Sequence, residues 1–348
     1  MQKIKYSTDD FEVHQMIERY VQSGHVNFLV GSGASRPAIE LAGGVEAEID
    51  AELALGNETE ADKKALEFIE ELEYQNGFLP DKFTDGDDTD QTLQNYVSFL
   101  TSVDRMLFER KNILLPRQAN IFTTNYDEFI ESAAIALPST LLNDGFNRRV
   151  GTGEFHFSPE VLFDRVYRSG TVYENQSEVP AINLMKLHGS LSWRRESEDR
   201  ILYGNNYFDE LTAVQKDNPA EVSEALAKRA VILPNMRKFE STLLDRVYFD
   251  LLRLYSNAME KENALLFVFG FSFADQHILD ITCRALRNPT AKVIIFAYSE
   301  EAADGFELKF NAYRNALVVH PIEGRVIDFP VINEIFANVG REVELPSD

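Results

Sequence analysis

The strongest constraint on this chain is a set of short, almost wholly apolar runs, at 25–30, 182–187, 264–269 and 292–298. Each is too short for a buried helix and too continuous for a strand with one wet face. Each therefore predicts a strand covered on both sides. Shorter runs at 119–123, 231–234 and 317–320 extend the set. Amphipathic stretches lie between them. At 9–22, Phe11, Met16, Ile17, Tyr20 and Val21 fall near one face, with Ser7, Thr8 or Asp9 available as a cap. At 92–111, Leu93, Tyr96, Val97, Leu100, Val103 and Leu107 keep helical spacing, and 61–74, 128–136, 241–259 and 277–286 read as further helices. Buried strands alternating with helices predict an α/β fold with a doubly wound parallel sheet.

Length suits one large domain over 1–348. No strand is predicted from 41 to 114, so this block reads as a helical insertion after the first strand–helix unit. Its aspartate-rich stretch at 81–90 lacks the EF-hand spacing and reads as a solvated loop. Residues 141–180 are irregular and predict a lid or small subdomain, and 194–229 reads as polar and peripheral.

Lys and Arg number 34 against 57 Asp and Glu, a net charge of −23. Such a surface disfavours non-specific nucleic-acid or anionic-membrane binding. A single cysteine, Cys283, excludes an internal disulfide framework and any zinc module built on two or more cysteines. No run approaches the roughly 18–20 apolar residues of a membrane span, and the polar start lacks a signal-peptide core, so a cytoplasmic location is expected.

Four strands end in polar or glycine-bearing motifs, and in a doubly wound sheet such ends converge on one edge. The first is Gly31-Ser32-Gly33-Ala34-Ser35. A strand, a small-residue turn and a helix let backbone N–H groups approach a phosphate, and a Cβ at the glycines would hold the phosphate off. Arg36 stands where the dinucleotide fingerprint has a third glycine, and it is compatible with facing either a phosphate or solvent. The others are Thr123-Thr124-Asn125-Tyr126-Asp127, Leu187-His188-Gly189-Ser190 and Gly270-Phe271-Ser272-Phe273-Ala274-Asp275. Structural readings stand beside the functional ones. Asn125 and Asp127 suit the start of the following helix, Ser272 or Asp275 suits a helix cap, and Trp193 suits the core. His14, His25, His156 and His320 have no ligand partners at useful spacing.

In this order the four motifs resemble those of the sirtuin-like NAD-binding family. Gly31 to Ser35 is similar to its GAGxS loop, Thr123 to Asp127 to its TQNxD, His188-Gly189 to its catalytic His-Gly, and Gly270-Phe271-Ser272 to its later Gly-Thr-Ser. The wording GFSFADQHI is closer to the bacterial sirtuin-like branch than to protein deacylases. The resemblance spans about 25 to 300. The Gly-Ile-Pro-Asp-Phe-Arg of deacylases is missing, as are their four zinc cysteines.

What the resemblance implies is NAD as substrate and cleavage of its nicotinamide–ribose bond. Asn125 would position the ribose or a water, Asp127 the nicotinamide amide, and His188 would act as base on the ribose hydroxyls. Gly31, Ser32, Gly33 and Ala34 would receive the diphosphate and Ser272 the adenosine half, with Ser35, Arg36, Thr124 and Gly270 as further cofactor-binding residues. No zinc is implied. The expected activity is NAD hydrolysis by an anti-phage effector, with NAD-dependent deacylation or silent NAD or ADP-ribose binding as alternatives. A gate is expected through homo-oligomerisation or a partner such as a HerA-type ATPase, with 58–111 and 241–259 as contact faces.

Overall fold

Along each predicted strand, successive side chains go to opposite faces, and both faces are apolar, so helices must cover both. The computed structural model describes residues 1–7, 11–39, 43–76, 86–137, 141–148, 155–163, 165–170, 176–197, 200–204, 211–232 and 245–339. Its strands are β1 (Gln2–Tyr6), β2 (His25–Val30), β3 (Gln118–Thr123), β4 (Leu141–Asn143), β5 (Phe146–Arg148), β6 (Phe155–Phe157), β7 (Tyr167–Ser169), β8 (Gln176–Glu178), β9 (Ala181–Lys186), β10 (Gly189–Ser197), β11 (Arg200–Tyr203), β12 (Arg229–Val231), β13 (Ala264–Phe269), β14 (Lys292–Phe296) and β15 (Ala316–Pro321). Its helices are α1 (Phe11–Ser23), α2 (Gly43–Ala54), α3 (Glu58–Asn76), α4 (Asp88–Phe108), α5 (Phe129–Ala134), α6 (Ala213–Lys216), α7 (Pro219–Lys228), α8 (Arg246–Met259), α9 (Gln276–Ala285), α10 (Glu300–Phe310) and α11 (Phe329–Asn338).

Eight strands form one sheet in the order β1-β15-β14-β13-β2-β3-β9-β4, and every pairing is parallel. Counted from β2, the central six run 6-5-4-1-2-3, the doubly wound order with its switch point between β2 and β13. The predicted fold class is therefore the observed one. Along β13, Leu265, Phe267 and Phe269 face the apolar layer of α1, α4 and α11, while Leu266 and Val268 face that of α8, α9 and α10. Phe28 shows how dense the first layer is: it stacks on Phe267 at 5.4 Å and meets Phe99 and Phe336 edge-on at 5.1 and 5.7 Å. Each such buried ring stabilises the fold by about 1.5–3 kcal/mol.

The structure departs from the sequence reading in several places. β1 is an edge strand whose Lys3 and Lys5 make it look like a polar leader; charged edges of this kind block further pairing. Within the block read as an insertion, Asp87 caps α4, accepting from Asp90 N. α4 itself is sheet cover, with Tyr96, Phe99, Leu100, Val103 and Leu107 buried in the main core. In contrast, Ile49, Ala61 and Ala65 of α2 and α3 form a small cluster of their own. The region 141–203 carries seven more short strands besides β9. Five strands make a second sheet, β12-β10-β11-β6-β5, whose pairs are antiparallel. Within that sheet, Trp193 of β10 packs on Phe146 of β5 and Phe157 of β6, at 5.4 and 5.2 Å. The cap residues Thr8 and Asp9, residues 81–85 and 233–234 lie outside the described residues. Among the described residues no helix is long and apolar enough to cross a membrane.

Candidate functional site

Strand register brings the motifs together. Phe269 pairs with Val30, Val30 with Thr123, and Thr123 with Lys186, so four strands end in one lateral row. The chain leaves that row at Gly270, Gly31, Thr124 and Leu187; three motifs begin there and the fourth one residue earlier, at Thr123. This is the carboxyl edge at the switch point, where open α/β sheets bind ligands.

The two glycine loops interlock. Gly31 N donates to Phe269 O (3.1 Å), and Gly33 N donates to Gly270 O (3.0 Å). A Cβ on Gly31 would sit 2.4 Å from Gly270 O. One on Gly270, whose φ is +63°, would sit 2.5 Å from Ala34 N. Backbone crossing backbone is what requires glycine here, rather than clearance for a phosphate alone. Ala34 N donates to Gly31 O (3.0 Å), so three of the loop's N–H groups are engaged inside the protein. Ser32, Gly33 and Arg36 are exposed, and among the described residues Ser32 N–H has no internal acceptor.

Asn125 is buried in the β3–α5 turn. Thr123 Oγ1 fixes this turn by donating to Val30 O (2.9 Å) and accepting from Asn125 N (3.0 Å). The Asn125 amide donates to Gly31 O (3.1 Å) and Ser35 Oγ (3.0 Å), tying two of the four motifs together. Its Oδ1 is buried and meets no donor among the described residues. Ser35 Oγ donates to Asp127 Oδ2 (2.6 Å) and lies 2.9 Å from Tyr96 Oη. Asp127 Oδ1 also accepts from Phe129 N (3.3 Å). Ser35 and Asp127 are thus buried supports behind Asn125. Burial pushes the Asp127 carboxyl up, with the Lys186 ammonium opposing. Burial likewise holds the Tyr96 phenol well above its usual range, with Asp127 adding to it. Thr124 is half-buried at the same strand end.

His188 is buried in the turn between β9 and β10. Gly189 after it has φ +84°, and a Cβ there would lie 2.0 Å from Ala230 O. His188 O accepts from Ile232 N (2.9 Å), so β12 clamps the turn from outside. On the far side, His188 Nε2 lies 3.8 Å from Asp275 Oδ1. Asp275, not Ser272, is the N-cap residue of α9. Its carboxylate accepts no bond from that helix's first turn. Ser272 is exposed and presents its carbonyl to Lys309 Nζ (2.7 Å).

Several residues of this site escaped the sequence reading. Tyr96 looked like one more apolar residue of a helix face. Lys186 looked like the end of a strand, yet it is buried: Nζ donates to Asp127 O and Ser190 Oγ (2.9 Å) and pairs with Glu131 Oε1 (2.8 Å). A lysine closing an apolar strand immediately before the His-Gly motif was the available signal. Burial drives the Glu131 carboxyl up to about 7 against the pull of Lys186. His277 completes a group with His188 and Asp275, all three offering a ligand atom within 4.8 Å of one another.

A doubly wound sheet with a glycine-lined switch point, a buried asparagine and a strand-end histidine places the protein in the Rossmann-like α/β class. The model of the SIR2-like domain matches residues 119–318, more than half of the chain, and the chain belongs to that family. SIR2-like domains bind NAD, so an NAD-related activity is the general expectation. The match includes Asn125, His188 and Ser272. The Gly31 loop precedes it and joins the site through its bonds to Phe269, Gly270 and Asn125. No curated protein matches the chain.

Proposed function

We propose that this protein hydrolyses NAD to nicotinamide and ADP-ribose. The observation that supports this reading most is the single row of strand ends, which sets Asn125 and His188 beside the interlocked glycine loops. A buried Asn125 Oδ1 with no donor among the described residues fits a ligand hydroxyl or a held water. NAD supplies the bond that breaks, and its ribose gathers positive charge as nicotinamide leaves. Asn125 orients the ribose or the water, and His188 accepts a proton. Ser35 and Asp127 hold Asn125 in place. Ser32 N–H and Arg36 face the diphosphate, and the Gly270–Ser272 turn takes the adenosine half.

The chain's single cysteine leaves no module like the one deacylases use to shape an acyl-peptide cleft. An uncontrolled NAD hydrolase would drain its own cell, so the proposed role is a gated effector of anti-phage defence. Its gate is self-assembly or a partner such as a HerA-type ATPase. Within the faces expected as contacts, 58–111 and 241–259, the apolar sides of α4 and α8 pack into the core. Phe108 at the end of α4, and Ile113 and Leu114 a few residues after it, are exposed and are the contact residues proposed. The test is incubation of the chain with NAD, alone and with that ATPase, with and without an acetylated peptide. Nicotinamide release that needs no peptide supports hydrolysis; release only with peptide makes the protein a deacylase.

A further inference from the structure

We propose that His188, Asp275 and His277 form a transition-metal site that switches the catalytic histidine off. The site is new to this fold's chemistry as read above; the switching role rests on the NAD-hydrolase reading, whereas the metal binding does not. Two imidazoles and one carboxylate face one another, the imidazole centroids 6.0 Å apart and one ligand atom from each group within 4.8 Å. Around a zinc-type ion, with bonds of about 2.0–2.2 Å, ligand atoms stand roughly 3.4 Å apart. The His188 Nε2–Asp275 Oδ1 separation of 3.8 Å is already close to that. Small side-chain rotations close the remainder.

A second observation concerns Asp275. An aspartate at a helix N-cap ordinarily accepts from the first-turn amides, which is worth about 1 kcal/mol. Here the carboxylate makes no bond to that turn, and its Oδ1 lies 3.8 Å from His188 Nε2. The donor set selects the metal. Neutral imidazoles with one carboxylate suit Zn²⁺, Co²⁺, Ni²⁺ or Cu²⁺, while Mg²⁺ and Ca²⁺ prefer all-oxygen shells. His188 comes from the turn after β9, Asp275 from the end of the loop after β13, and His277 from the first turn of α9 that follows it. An ion would therefore tie two loops separated in the sheet by β2 and β3. Coordination uses the nitrogen lone pair with which His188 would accept a proton. A dication there also opposes the positive charge that grows on the ribose.

The experiment uses the full chain, stripped with EDTA and desalted. Co²⁺ is titrated and followed by its visible absorption, Zn²⁺ by calorimetry, and Mg²⁺ serves as control. One Co²⁺ per chain, displaced by Zn²⁺ and indifferent to Mg²⁺, is expected. His277→Gln and Asp275→Asn should each weaken Co²⁺ binding by about tenfold or more, with metal-free melting curves confirming that both fold. In the NAD assay, Zn²⁺ should suppress nicotinamide release and EDTA restore it. Relative to its own metal-free rate, His277→Gln should need more than about tenfold more Zn²⁺ for the same suppression. No stoichiometric Co²⁺ binding, or binding unchanged in both variants, overturns the site. Binding that is lost in the variants, beside NAD cleavage that ignores Zn²⁺, overturns the switching role. If NAD is not cleaved with or without metal while Co²⁺ still binds as expected, the hydrolase reading fails and the metal site stands.

Discussion

At the scale of single residues, Asn125 and His188 do different work in the fold, and their variants should separate accordingly. Asn125 holds Gly31 O and Ser35 Oγ, so Asn125→Ala loses activity and also removes bonds inside the protein. Each buried polar group left unmatched costs about 1–3 kcal/mol. His188→Gln keeps side-chain volume and should lower nicotinamide release by about 10²–10⁴-fold with a smaller change in melting temperature than Asn125→Ala. Steady-state rates and melting curves on both variants check this; equal activity in both variants and wild type would remove the site. Glu131 gives a pH prediction. Burial raises its folded pKa from 4.5 to about 7. Between those values the folded protein holds a proton that the unfolded chain releases, so stability falls as pH rises through that window. The slope is at most about 1.4 kcal/mol per pH unit. Glu131→Gln should flatten it, read as melting temperature against pH from 5 to 7. Lys186→Ala removes the ammonium that opposes the rise of the Glu131 pKa, so the fall of melting temperature with pH should continue above pH 7 in the same measurement.

Among the elements, the central strands are locked by more than apolar burial. Asn143, Asn183, Asn120 and Asn27 form a ladder across β4, β9, β3 and β2. Each amide donates to the next carbonyl, at 3.1, 3.0 and 2.8 Å, and Asn27 ends the chain on Leu265 O of β13 at 3.2 Å. Register aligns them, since Asn120 pairs with both Asn27 and Asn183. Replacing Asn120 by Leu strands Asn183 Nδ2 and Asn27 Oδ1 in the sheet. Chemical denaturation should show a loss of about 1–3 kcal/mol per stranded group, with nicotinamide release little changed, because the ladder lies below the strand ends that carry the motifs. In sequence, each asparagine looks like a defect in an apolar run. Only pairing turns four separate polar residues into one satisfied network.

Seen as a whole molecule, the acidic chain is a doubly wound sheet with a smaller antiparallel sheet built over one end of it. NAD or ADP-ribose bound only by the native state should raise the melting temperature. At 100 times its Kd, a ligand adds about 2.7 kcal/mol of stability. Scanning fluorimetry with each ligand at millimolar concentration checks this; no shift with either would speak against a nucleotide site.

The sequence by itself determined the doubly wound class, because strands apolar on both faces admit few other packings. It also located Gly31, Asn125, His188 and Gly270 at strand ends, because turns and polar residues interrupt apolar periodicity at definite places. It did not determine why these residues are what they are. Gly31 and Gly270 exclude a Cβ because each loop's backbone fills that space in the other, and Gly189 does so because Ala230 O lies against it. Nor did it reveal Tyr96 behind Asn125, Lys186 beside Glu131, or His277 beside His188. Those relations join residues 29, 55 and 89 positions apart, respectively. Local patterning carries which face a side chain takes, whereas partners across the sheet are decided by strand order and register, which exist only once the chain has folded.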